Sequence, residues 1–238
     1  MISKKNTALS VSVLILNAII FIPPVAAEDD VFQDSGSWSQ IVGEGSLGFI
    51  DPKLSKARIW LEGQARVNDD FGHFYQGMVR AAVGYSITDR ATLWAGYTWL
   101  PTENIGKPYV NQQDVWPAFR YVLPTDYGPV TFRTMLESNF IPGSDVRFRP
   151  RQMVKFMHPF EFQPKLSFIT WDEFFIRVNT TASGQAGFDQ NRAFVGLGWT
   201  FNKNFRLEGG YMNQYLDDAT HTNNTMRHLA MVSLFMNF

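Results

Sequence analysis

The chain has no cysteine. That excludes a disulfide framework and every thiolate metal site. Histidine is scarce too, with four in 238 residues. Neither charge sign prevails, since 21 Lys and Arg stand against 22 Asp and Glu. Without a basic excess, nothing in the composition points to nucleic acid as a partner. Beyond the first two dozen residues no long apolar run occurs, whereas a membrane-spanning helix needs roughly 20 apolar residues. Phosphate-binding and dinucleotide-binding glycine fingerprints are also missing. No cofactor and no metal is expected.

Aromatic rings are plentiful instead. They make up 15% of residues, and Phe alone accounts for 21. So many rings need more surface than a small core offers.

The N-terminus reads as an export signal. Lys4 and Lys5 precede an apolar stretch over residues 8–22, Pro23-Pro24 breaks it, and Val25-Ala26-Ala27 supplies small residues for cleavage. Residues 1–27 are therefore expected as a signal peptide, 28–36 as an acidic periplasmic lead-in and 37–238 as the folded domain.

The C-terminus sets the fold class. Met226, His228, Ala230, Val232, Leu234, Met236 and Phe238 alternate with a mixed register. A period of two means a strand. The chain stops on Phe238, much as outer-membrane barrels end on an aromatic residue that their assembly machinery reads. Segments of about ten residues with one apolar side recur along the chain, separated by alternating short turns and longer loops. A β span in lipid must close on itself to satisfy its backbone. The expectation is an all-β, up-and-down antiparallel transmembrane barrel in the outer membrane of a Gram-negative cell. About eleven segments can be read, but termini on one side require an even number. Twelve strands are preferred, with ten as the alternative. Tyr85, Tyr121, Phe132, Phe156, Phe201, Phe205 and Phe238 fall near one rim, and Tyr97, Trp99, Phe140, Tyr211 and Tyr215 near the other, as two aromatic belts would.

Trp38, Glu62-x-x-x-Arg66, Arg149-x-Arg151, Asp172-Glu173-x-Phe175 and Phe188-x-x-Asn191-Arg192 before Gly196-x-Gly198 follow one another in order. Together they resemble a family of Gram-negative outer-membrane barrels catalogued as a domain of unknown function. The resemblance covers most of the chain beyond the signal. It implies fold and location, and brings no activity.

The inward register is basic. Arg58, Arg66, Arg80, Arg120, Arg133, Arg149, Arg151, Lys155, Arg177, Arg192 and Arg206 fall there, with Glu62, Glu137, Glu173 and Glu208 as the main acidic partners. Two uses fit this pattern. Arg–Glu pairs fill a narrow barrel as a structural network. Alternatively, a ring of Arg lines a narrow, anion-favouring pore or a site for small anionic solutes. A third reading is a lipid-modifying enzyme of the lipase or acyltransferase class. For it, His228 falls on the lipid face but Ser233 has the opposite parity, while His73 and His221 lie in loops and none completes a triad. A soluble periplasmic ligand-binding barrel is the last alternative. Paired acids, Asp69-Asp70 and Asp217-Asp218, read as solvated loop residues. Outer-membrane lipid, lipopolysaccharide and the barrel-assembly machinery are the expected partners.

Overall fold

A computed structural model of the chain describes residues 31–103, 105–218 and 224–238. The expected signal peptide and His221 lie outside these residues. Among the described residues, eleven strands form one closed barrel. They are β1 (Phe32–Ser46), β2 (Ala57–Asn68), β3 (His73–Ser86), β4 (Ala91–Thr102), β5 (Val110–Leu123), β6 (Val130–Phe140), β7 (Arg147–Phe160), β8 (Gln163–Arg177), β9 (Gly187–Thr200), β10 (Phe205–Leu216) and β11 (Thr225–Asn237).

The expected twelve or ten strands are thus corrected to eleven, and the reason is topological. In an up-and-down order an odd count makes the first and last strands run the same way. The closing pair must then be parallel, and β1 pairs with β11 from Phe32↔Thr225 to Glu44↔Asn237. The even-number argument assumed both termini at one rim. Here the described chain enters at the rim that holds the β4–β5, β8–β9 and β10–β11 loops and leaves at the rim that holds the Thr88–Arg90 and Asn202–Asn204 turns together with the longer β1–β2 connection over residues 47–56. We call these the loop rim and the turn rim. β1 begins at Phe32, within the residues expected as a lead-in.

Turn chemistry explains where strands stop. Thr88 Oγ1 accepts from the backbone N–H groups of Arg90 and Ala91 at 3.2 and 3.0 Å. Asn202 Oδ1 accepts from those of Asn204 and Phe205 at 2.8 and 3.0 Å. Such side chains mimic a backbone turn. At the loop rim, Asp69, Asp70 and Phe71 hold φ of 54, 50 and 67°. Left-handed backbone is unfavourable for non-glycine residues. The Asp34 carboxylate offsets this by accepting from Asp69 N at 2.9 Å, and it also pairs with Arg227 at 3.1 Å. The acidic pair is therefore a turn tied to β1 and β11.

The C-terminus is tied in as well. Phe238 N donates to Glu44 O at 3.2 Å, and Ser46 N donates to Phe238 O at 3.1 Å. Gly45 permits this approach, since a Cβ there would lie 2.2 Å from Phe238 O. The Phe238 ring meets Phe49 edge-on at 5.9 Å.

The two faces are inverted relative to a water-soluble barrel. Outside, Leu61, Val83, Leu93, Val115, Leu136, Leu197 and Val232 are exposed. Inside, charged residues are buried beside two apolar clusters. One centres on Trp60, Trp94, Trp116 and Met135, the other on Trp38, Ile169, Phe194, Met212 and Leu229. Among the described residues, no helix is long and apolar enough to cross a membrane.

Candidate functional site: a charged interior

The period-two alternation turns Arg133 and Glu137 of β6, Arg149, Arg151 and Lys155 of β7, and Glu173 and Arg177 of β8 into the barrel. All but Lys155 join there, with Asp189 and Asp217, into an unbroken chain of alternating charge. Arg133 reaches Glu173 at 2.9 Å. Arg151 grips Glu173 with two parallel bonds, Nε to Oε1 at 2.8 Å and Nη2 to Oε2 at 2.7 Å. Its third nitrogen, Nη1, donates to Glu137 at 2.7 Å. Glu137 also accepts from Arg149 at 2.7 Å. Arg149 continues to Asp189 at 2.9 Å, Asp189 to Arg177 at 3.5 Å, and Arg177 to Asp217 at 2.5 Å. Two-pronged Arg–carboxylate contacts fix geometry as well as charge.

The remaining expected residues form smaller sets. Arg58 and Arg120 share Glu44. Lys155 and Arg206 share Glu208. Arg80 pairs with Glu62 at 3.2 Å. Arg66 and Arg192 have no carboxylate within 4.0 Å among the described residues. They lie against Trp38 instead, with guanidinium carbons 4.0 and 4.8 Å from the ring centroid. Arg149, Arg151 and Arg192 all approach the Phe175 ring, at 5.2, 4.4 and 4.5 Å.

Sequence reasoning missed Asp34, Glu44, Asp114, Asp189 and Asp217, all of which sit with the interior cations. Basic residues therefore do not outnumber acidic ones as far as alternation suggested. Glu44 carried a readable signal, since it shares parity with Trp38, Gln40 and Val42. Asp189 carried none. It is the extra residue where the β8–β9 register shifts between Phe175↔Gln190 and Ile176↔Phe188. That bulge sits on β9, whereas β8 keeps one phase throughout. Trp171, Glu173 and Phe175 point inward, while Asp172 points outward and accepts from Asn191 Nδ2 at 3.1 and 3.0 Å.

His228 is exposed on the outer face. Its Nδ1 lies 2.6 Å from the Tyr211 hydroxyl and its Nε2 2.9 Å from Gln33 Oε1. Neither contact is a carboxylate or a serine. His73 Nε2 meets the Glu103 carbonyl at 3.0 Å.

The motif residues Trp38, Arg66, Arg149, Arg151, Glu173, Phe175 and Arg192 thus come from five strands to one place. Residues 35–226 match the model of the family described as protein of unknown function DUF2490. The chain belongs to this family. It is also similar to an uncharacterised protein of Methylorubrum extorquens strain AM1, 28% identical over 195 residues, which cover 79% of this chain and 81% of that protein. Among the motifs, Trp38, Arg66, Arg149, Arg151 and Glu173 now have defined places in the interior of this DUF2490 barrel. Asp172 and Asn191 belong to its outer face.

Proposed function

We propose that the chain is an integral outer-membrane barrel of structural type, closed on its loop-rim half by its own side chains. The outward aliphatic band and the rings exposed near both rims support the membrane setting. Outer-membrane lipid and lipopolysaccharide would surround that band. Phe238 would be read by the assembly machinery before it docks against Glu44 and Ser46, and an N-terminal signal ending at Ala27 would direct export. The observation that carries the closed reading is burial. Every strand contributes at least one inward side chain with little or no accessible surface: Trp38, Arg66, Met78, Thr98, Trp116, Glu137, Arg149, Phe175, Arg192, Met212 and Leu229. A layer packed from all sides leaves no water-filled passage for an anion.

Planar-bilayer recording on folded, heat-modifiable protein under a salt gradient tests this reading. The expected record is silent. Stable chloride-favouring steps would overturn closure and restore the anion-favouring pore. Extraction without detergent would overturn the membrane assignment and favour a soluble periplasmic barrel. The enzyme reading gains nothing from His228, which is held between a phenol and an amide.

A further inference from the structure

Below the packed layer, a cavity of about 390 Å³ runs from the turn rim up to Arg66, Arg151, Glu173 and Arg192. Val122, Pro129 and Asn237 belong to its wall, so it extends to the turn rim. Eight Arg and Lys residues line it against four Glu residues. Most of these cations are spent on the carboxylates already described. Arg192 is not. Its Nε donates to Gln190 Oε1 at 3.1 Å, and among the described residues its two terminal nitrogens have no hydrogen-bond partner. Arg66 is held by neutral groups, Gln64 and Gln76. Two buried guanidinium groups therefore share the Trp38 ring with no carboxylate in contact with either among the described residues. Buried charge without a partner is costly, and a planar donor fork facing a cavity suits a carboxylate.

The wall beside this pair is apolar. Trp171 stacks on Phe194 at 5.4 Å, and Met157 packs with Met231 in the same cluster. Methionine adapts to ligands of varied shape. We infer that the cavity binds a small amphiphilic carboxylate entering from the turn rim. Its carboxylate meets Arg192 and its apolar body lies against Trp171, Phe194 and the methionines. The inference rests on the closed-interior reading, which makes the cavity one-ended.

The test is calorimetric titration of the folded protein, in a non-ionic detergent, with octanoate, octanol and inorganic phosphate. Saturable octanoate binding is expected, with octanol and phosphate each weaker. Arg192→Gln should weaken octanoate by about tenfold or more, the loss of one charge-assisted contact. Arg227→Gln, outside the cavity wall, should leave it unchanged. If Arg192→Gln loses heat-modifiability, Arg66→Gln is measured with the same expectation. Absence of saturable binding, octanol equal to octanoate, or unchanged affinity in the folded variant would each overturn the site. The bilayer record of the same sample separates the two proposals. Binding together with conductance sinks closure and keeps the site. Silence without binding sinks the site and keeps closure.

Discussion

The two halves of the barrel interior are built from the same residue types, but they solve the problem of buried charge differently. Toward the loop rim, Arg149, Arg151, Glu137 and Glu173 keep side-chain exposures of only 1–10%, and each ion has two or more partners. Toward the turn rim, Arg58, Arg120, Arg206 and Lys155 keep 16–26%, and their carboxylates are shared around a cavity. The first arrangement is a packed solid whose charges hold one another in place. The second leaves room. The difference follows from side-chain volume. Trp116, Phe175, Met212 and Leu229 are fully buried in the solid half, and the cavity forms where such filling side chains give out.

The largest expected effect comes from breaking the solid half. Glu137→Ala strands Arg149 and Arg151 without one carboxylate each. Removing one partner of a buried pair costs about 3–5 kcal/mol. Thermal unfolding of the heat-modifiable form should show this as a marked drop, whereas Glu44→Ala near the turn rim should cost clearly less. The next effect compares inside with outside. Leu61→Arg places a charge on the outward band and should cost about 2–4 kcal/mol in lipid. An unchanged unfolding midpoint in bilayers would count against the membrane setting. A packing change ranks third. A Cβ at Gly96 would lie 2.2 Å from the Trp116 ring, so Gly96→Val overpacks the inner face at about 1–3 kcal/mol. Denaturant midpoints would register it, and Gly63→Val, where a Cβ meets nothing within 4 Å, is the matched control. The smallest effect belongs to Arg227→Gln at the loop rim. The Asp34 carboxylate left behind keeps the backbone N–H of Asp69 as a donor, so about 1 kcal/mol or less is expected, reduced further by salt.

Much of this was legible in the chain. Alternation placed Arg58, Arg80, Arg120, Arg133 and Arg206 on the inner face because side chains on a strand can only point two ways. Turn residues at Thr88–Arg90 and Asn202–Asn204 marked strand ends because their side chains cap the backbone locally. Other features left no local trace. Asp189 reaches Arg149 and Arg177 only through a bulge, which shifts parity by one residue. Asp172 adjoins Glu173 in one motif, yet adjacent strand residues face opposite sides, and it bonds Asn191 on the outer face. Arg66 and Arg192 looked like any other inward cations. Their lack of carboxylates emerged only when five strands met.

By itself the sequence determined that the chain is a set of two-faced strands with charge on one side and apolar groups on the other. That follows from residue order, since the pleat repeats every two residues. The tertiary structure decided the rest. Strand number, and with it the parallel β1–β11 seam and the opposite placement of the start of β1 and the end of β11, is a property of closure, which no single strand encodes. Which charges pair and which face a cavity depends on register around the whole ring, where one extra residue in β9 redirects a carboxylate.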